Sequence, residues 1–334
     1  MRKRPTVRLF KSFQLLLGAF LFLTAGVHAA SEERMTLATI RSVTQAPFWV
    51  ALESGFYKDY GLEVLPVQFT GGTQTIMALV SGDVQMTTTG GPAAVHAKLK
   101  GANVLAIGTT VGVFPYIFYV SSKIRKPEDL KGRRIGISSF GGASHAATRY
   151  ALQRLGLNPE VDVTLMQIGN QAGRLSAMTS GGIDGNLIQP PETLIAREMG
   201  LKPMLNLAQS GLKFPMNQMT TTGEYLKGQR EKVKRFMMGS IAGVARLKAD
   251  RDFTMKVLKK FMQISDQKLL AETYDFWVNI YPPKAFVDPE EIENYLVTVK
   301  ERGSSKPADF IDNSIVAELD REGFIEAVYK KYGR

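Results

Sequence analysis

The side chains best able to do covalent or metal chemistry are scarce in this sequence. Beyond residue 30 there are two histidines, His96 and His145, and the whole chain contains no cysteine. That excludes disulfides, thiolate metal sites and cysteine nucleophiles. Neither histidine stands at a metal-ligand spacing from a second histidine or an acidic partner. No Gly-x-x-x-x-Gly-Lys-Ser/Thr loop and no Gly-x-Ser-x-Gly elbow occurs. No catalytic residue, metal site or cofactor is therefore expected, and the chain reads as a non-enzyme. What the residues do offer is hydrogen bonding from short loops at 42–48, 70–73, 87–92, 138–144, 169–171 and 189–192. Hydroxyl or amide side chains stand in all six of these, glycine in four and basic residues in none. Thr44, Gln45, Gly72, Thr73, Thr88, Thr89, Gly90, Ser139, Gly141, Gly142, Asn170 and Gln189 are the candidate ligand-binding residues. Phe48 and Phe140 are candidates for stacking on an unsaturated ligand, Phe140 the better placed because it stands on a loop between Ser139 and Gly141. Phe48 or its neighbour Trp49, both following Pro47 in an amphipathic segment, is expected to face the core. His145 falls in the first turn of a predicted helix, where the dipole favours the neutral imidazole. The structural role of these glycines and hydroxyls is turning and capping; as an ordered set, they favour ligand capture.

Loops of this kind are positioned by alternating strands and helices. Strand-like runs at 35–41, 62–69, 84–88, 105–110 and 116–121 alternate with helix-like runs at 47–60, 73–80 and 92–100. The alternation resumes with strands at 134–138, 161–168 and 183–188 around helices at 143–155 and 171–179. Such layering is that of an α/β protein, in which ligands sit beyond the carboxyl ends of the strands. Unpaired N–H groups at the helix starts there favour a negative group by about 0.3–1 kcal/mol per terminus. The expected ligand is accordingly a small organic anion held by helix starts and neutral donors.

The second half of this alternation repeats the first. Ala51-Leu52 precedes Ser81-Gly82 much as Ala151-Leu152 precedes Ser180-Gly181, and Gly61-Leu62 has its counterpart in Gly156-Leu157. Two copies of one unit predict two similar lobes rather than a single sheet. From Glu224 onward only helix-like runs follow, at 229–249, 252–264, 268–280, 289–302 and 315–332. Helices without a sheet of their own need an apolar surface, so this tail is expected to fold back on the first lobe. The chain then crosses twice, near 119–123 and near 216–222, and two crossing strands make a hinge. The expected division is lobe one at 31–121 and 219–334, and lobe two at 122–218.

Arg2, Lys3, Arg4, Arg8 and Lys11 precede an apolar run from Leu15 to Leu23 and a small-residue end at Ala29-Ala30. This predicts a signal peptide over 1–30, cleaved near Ala29 or Ala30, and a periplasmic location. Without a cysteine at its end, the leader offers no lipid attachment. Of the formal charge of +11, those five residues account for enough that +6 remains on the mature chain. The remaining basic residues are scattered among acidic ones, so a nucleic-acid partner is not expected. No later segment is long and apolar enough to insert in a membrane.

Three phrases carry a resemblance to a known family. The run from Val120 to Ile137, VSSKIRKPEDLKGRRIGI, resembles the segment by which solute-binding proteins of the nitrate/sulfonate/taurine class enter their second lobe. ALVSGDV, from Ala78 to Val84, is similar to their helix-to-strand step in lobe one, and GGIDG, from Gly181 to Gly185, to its partner in lobe two. The resemblance implies a type II periplasmic-binding fold, two α/β lobes joined by two crossing strands with a helical C-terminal tail on lobe one. It also implies a small-molecule ligand trapped between the lobes of a monomer, and an ABC permease with its ATPase as partners. The family's contacts match here at Thr44, Gln45, Thr73, Thr89, Ser139 and Gln189. A related branch of pyrimidine-precursor synthases uses a cysteine-rich iron motif, which a cysteine-free chain departs from. Solute sensing is the other use of the same capture.

Overall fold

The computed structural model describes residues 33–332, besides Met1; the leader expected over 1–30 otherwise lies outside the described residues. Two strand-helix layers come first. β1 (Glu33–Ile40), α1 (Ala46–Glu53), α2 (Phe56–Asp59), β2 (Leu62–Phe69), α3 (Gly72–Ser81), β3 (Met86–Thr87), α4 (Gly91–Leu99) and β4 (Val104–Val113) form the first. β5 (Ile117–Val120), β6 (Arg133–Ile137), α5 (Ala143–Arg154), β7 (Val163–Gln167), α6 (Gln171–Thr179), β8 (Gly185–Ile188), α7 (Glu192–Glu198) and β9 (Lys202–Asn206) form the second. The chain then returns through β10 (Lys213–Thr222) to α8 (Gly223–Gly228), α9 (Arg230–Ala249), α10 (Arg251–Met262) and α11 (Gln267–Trp277). It ends in α12 (Pro289–Leu296), α13 (Ser314–Arg321) and α14 (Phe324–Tyr332).

The two sheets have the same plan. Strand order is β2-β1-β3-β10-β4 in one and β7-β6-β8-β5-β9 in the other. β1 pairs in parallel with β2 and β3, and β6 in parallel with β7 and β8. The fourth strand of each sheet runs antiparallel to both neighbours, and it is the strand delivered by a crossing from the other sheet: β10 in the first, β5 in the second. The repeat seen in the sequence is therefore a repeat of topology. Gly61 and Gly156, and Gly82 and Gly181, all adopt left-handed φ angles between 74° and 86°; each ends a helical turn where a side chain would strain the backbone.

The crossings fall a few residues from their expected places. The first lies at 114–116, because Ile117–Val120 already pairs with β8 and β9, and the second at 207–212, because β10 starts at Lys213. Strand β9 carries Lys202 and Pro203 and is exposed at one end, so it lacked the apolar run that marks a buried strand. The helix read over 47–60 is two, divided at Gly55 with φ 75°, and the last one divides at Gly323 with φ 74°.

Period-two alternation places each sheet between two helical layers. Met35 and Leu37 face Phe48, Tyr57, Phe236 and Ile241, while Ala38 faces Ile76, Leu79 and Ala94 under α3 and α4. In the second sheet Phe118 and Val120 face Ala147 and Leu152 of α5, and Tyr119 faces Leu175 and Met178 of α6. The tail does cover the first sheet. Phe236 of α9 stacks on Tyr57 with ring centroids 5.4 Å apart and on Phe48 at 6.2 Å. A Cβ on Gly243 of α9 would meet the Pro47 carbonyl, so α9 and α1 pack backbone to backbone. Helix α11 reaches further than expected: Trp277 Nε1 donates to the Pro190 carbonyl at 3.0 Å and Glu272 pairs with Arg197 at 3.2 Å, both across to the second lobe.

Glu291 of α12 is buried against the two long strands beside the crossings. It accepts from Thr109 Oγ1 of β4 at 2.8 Å and from Gln218 Nε2 of β10 at 3.4 Å. Burial pushes its carboxyl from 4.5 up to about 7, more than these two donors lower it. The protonated acid thus contributes stability that is fully present below the unfolded value and is lost as pH rises through about 7. Glu291→Gln is expected to remove this dependence and to raise stability at pH 8 by up to about 3 kcal/mol. Urea unfolding of both proteins at pH 5 and pH 8 checks it, with the two curves converging at the lower pH.

Candidate functional site

A cavity of about 340 Å³ lies between the two sheets at the carboxyl ends of their parallel strands. The first lobe lines it from the ends of β1 and β2 and from Thr89, Gly90, Met216 and Asn217; the second from Ser138, Ser144, Asn170, Arg174 and Gln189. Tyr116, on the first crossing, closes one wall, and burial pushes its hydroxyl up to about 12. A second hollow of about 180 Å³ continues past Ser42, Asn170, Gln171 and Gln189 to Glu192 and Met262.

Three helices begin at this cavity without a side-chain cap. The residues before α3, α4 and α5 are Gly71, Gly90 and Gly142, and none supplies an oxygen to the first-turn N–H groups. Helix α6 differs, since Asn170 Oδ1 accepts from the Gly173 N–H at 2.8 Å. The glycines also allow crowding: a Cβ on Gly72 would lie 2.8 Å from Gly90 Cα, and one on Gly90 would lie 2.7 Å from the Gly72 carbonyl. The starts of α3 and α4 are thereby brought edge to edge, and their dipoles converge.

Two arginines line the cavity, the exposed Arg41 and the buried Arg174, and of these Arg174 is the one withdrawn from water. It stands in the second turn of α6 with only 3% of its surface exposed. Its Nε donates to Asn186 Oδ1 at 2.9 Å and an Nη1 hydrogen is given to the Gly169 carbonyl. Two of five donors are thus used to fix the fork, and Arg174 is among the residues that line the cavity. Desolvation lowers the guanidinium's affinity for its proton, while the nearby Tyr116 and Glu192 raise it. Glu192 is itself driven towards the neutral acid by burial, against the Gln171 amide hydrogen it accepts. Asn217 Nδ2 and Gln189 Oε1, both on cavity-lining residues, are buried without a protein partner. A small ligand carrying negative charge and a few polar atoms matches this lining.

All the sequence-predicted residues except Phe48 divide into three groups. Thr44, Gly72, Thr89, Gly90, Asn170 and Gln189 line the cavity. Gln45 and Thr88 stand one layer behind: Gln45 Oε1 accepts from Thr39 Oγ1 at 3.0 Å and from Thr88 Oγ1, and Gln45 Nε2 donates to the Thr88 carbonyl at 3.1 Å. They hold the loops that carry Thr44 and Thr89. Thr73, Ser139, Phe140, Gly141 and Gly142 are drawn to the seam between the lobes. There Thr73 Oγ1 and Ser139 Oγ are 3.2 Å apart, and Thr73 Oγ1 donates to the Phe140 carbonyl at 2.8 Å. Gln189 Nε2 donates to Ser42 Oγ at 3.1 Å and makes a second tie. Phe48 is a correction: it is 1% exposed and stacked in the core with Phe236, and Trp49 is buried too, so neither reaches the cleft. Phe140 is half exposed and its ring turns outward against His145, away from the cavity wall.

The expectation that the site has only neutral donors is also corrected, because Arg174 lies on a helix and escaped a survey of loops. Its spacing held the signal. Arg174 adjoins Leu175 and precedes Met178 by four, which puts it at the edge of the helix face that packs on the sheet.

Two lobes of one topology, joined by two crossings and enclosing a cavity at their helix starts, define the periplasmic-binding class of fold. The chain belongs to the NMT1/THI5-like family, whose model matches residues 43–252. It is similar to the riboflavin-binding protein RibY of Chloroflexus aurantiacus, 27% identical over 261 residues that cover 74% of each chain. It is 30% identical over 176 residues to the taurine-binding periplasmic protein of Escherichia coli, covering 52% of each. Among solved structures, the alkanesulfonate-binding protein SsuA of Xanthomonas axonopodis pv. citri, bound to MOPS, superposes with a TM-score of 0.70 at 19% identity. The match covers 87% of this chain and 98% of that one.

The close approach of the two helix starts is testable by itself. Gly72→Ala is expected to force α3 and α4 apart and to cost about 1–3 kcal/mol of stability, read as a lower urea midpoint at unchanged slope. Gly228→Ala, whose added Cβ would meet nothing within 4 Å, should leave the midpoint in place.

Proposed function

We propose that this protein is the solute-binding component of an ABC importer, exported to the periplasm, which captures a small organic anion by closing its lobes and hands it unchanged to a permease. The observation that carries the reading is the convergence of three uncapped helix starts with the buried Arg174 fork on one inter-lobe cavity. An anion there gains from dipoles on both lobes and from charge-assisted hydrogen bonds, so it stabilises the closed arrangement over the open one. The two crossings, at 114–116 and 207–212, are the places where the backbone angles absorb that motion. The printed names of the relatives support capture rather than turnover, since they describe binding of riboflavin, taurine and alkanesulfonate. Export is supported by the leader pattern and by the periplasmic relative. No helix among the described residues is long and apolar enough to cross a membrane.

Ligand contact is proposed for Thr44, Gly72, Thr89, Gly90, Asn170, Arg174, Gln189 and Asn217. Native mass spectrometry of freshly purified protein is expected to show a co-purified small acid released on unfolding. Arg174→Gln should weaken binding of that acid about 30- to 1,000-fold, the cost of about 2–4 kcal/mol for removing a buried charged partner. Thr44→Ala should weaken it by about 1–3 kcal/mol. Chemical conversion of the solute by the protein alone, or binding indifferent to Arg174, would count against the reading.

A further inference from the structure

The seam that joins the two lobes outside the cavity contains both described histidines, and neither lines the cavity. A hollow of about 480 Å³ is walled by Thr73, His96 and Lys100 from the first lobe and by Phe140, Gly141 and His145 from the second. His145 stands in the first turn of α5. Its Nδ1 accepts the Gly141 N–H at 3.1 Å, so that nitrogen carries a lone pair and the proton is on Nε2. The Phe140 ring meets the imidazole edge to face, with centroids 5.4 Å apart. Ser144 Oγ takes the Ser138 N–H at 2.8 Å. Two adjacent side chains of α5 thus pin the loop at 138–142, and this loop presents Ser139 Oγ and the Phe140 carbonyl to Thr73 of the opposite lobe.

We propose that His145 is a pH-sensitive positioning residue: the neutral imidazole holds the 138–142 loop in the place where it latches onto Thr73, and protonation of Nδ1 releases the latch and favours the open lobes. The chemistry is local. A protonated Nδ1 becomes a donor facing another donor, the Gly141 N–H, and the loop must move to separate them. The two charges that bear on His145 act in the same sense, although Arg149 is itself paired with Glu160. Arg149 on its own helix and His96 from α4 across the seam both disfavour a second positive charge there, as do burial and the positive end of α5. Around His96, Lys100 opposes protonation, Glu301 favours it, and the Tyr295 ring packs edge-on at 5.7 Å. With the latch made, the His145 pKa lies at about 4 against the ordinary 6.5, with desolvation the largest cause. The sign follows: the closed form binds fewer protons, so closure is favoured fully above the open-state value and is lost as pH falls towards the closed-state value. His145 contributes at most one proton to that transition, a change of up to tenfold in the closed-to-open ratio per pH unit.

The inference rests on the reading that lobe closure is the working motion, yet its test needs no solute. The chain has no cysteine, so Val80→Cys on α3 and Gln153→Cys on α5 admit one spin label on each lobe. Their separation should be short at pH 7.5 and should lengthen between pH 6.5 and 4.5. Nitrogen-15 spectra of the histidines should show His145 as the Nε2–H tautomer, titrating well below His residues in open peptides. His145→Gln keeps an acceptor without a titrating group and should stay closed across the range, whereas His145→Ala should be displaced towards the long distance even at pH 7.5. A long separation at every pH, an ordinary pKa for His145, or an unchanged pH response in His145→Gln overturns the proposal. An ordinary pH response with a solute that binds independently of Arg174 would instead remove the proposed anion site and leave the latch standing.

Discussion

Each sheet of this protein takes as its fourth strand the one that begins directly after a crossing between the lobes. β5 enters the second sheet at once after leaving the first, and β10 re-enters the first at once after leaving the second. In both cases the imported strand lies inside the sheet, with hydrogen-bonded neighbours on either side. The second sheet is built from one continuous stretch, 117–206, whereas the first is complete only when the chain returns with β10, since unpaired buried N–H and C=O groups would be costly. The same arrangement leaves two short crossings between the lobes, at 114–116 and 207–212. Both sets of helix starts face the one cavity between them.

That space acquires its polarity from backbone and side chain in different ways. On the first lobe, glycines allow α3 and α4 to begin almost in contact, so bare N–H groups add to the exposed Arg41 at the cavity wall. On the second, α6 is capped by Asn170, and the positive charge comes instead from Arg174 in its second turn. A guanidinium withdrawn from water needs its donors directed, which Asn186 and the Gly169 carbonyl accomplish. The Gln45 pair with Thr39 and Thr88 does the equivalent for the neutral loops of the first lobe. The seam outside the cavity is built from the same loops that approach it, so closure at Thr73 and Ser139 is mechanically tied to the cavity wall at Gly72 and Ser138.

Much of this was legible in the residues. The strand at Leu62–Phe69 and the helix at Gln171–Thr179 coincide with their predicted bounds, because period, length and flanking glycines agreed there. The duplication was legible as well, since paired glycines that require left-handed angles recur at matching places. Less was legible where local preference and tertiary placement diverged. β9 is a polar edge strand that lacks an apolar run, and Phe48, which looked poised over a loop, was needed by the core against Phe236. Arg174 was the largest omission: polar loops announce themselves by composition, whereas a single cation on a helix is ordinarily a solvated residue.

The amino-acid sequence by itself determined the α/β layering, the two-fold repeat, the loops that gather at the strand ends and the chemistry available there, because these follow from short-range periodicity and residue type. Tertiary structure alone decided which strand completes which sheet, and which of those loops reach the cavity rather than the seam. It also decided that one arginine would be buried with its fork turned inward. Those outcomes depend on contacts between residues more than a hundred positions apart, such as β10 with β4 and Thr109 with Glu291, and no local pattern encodes the geometry in which such partners meet.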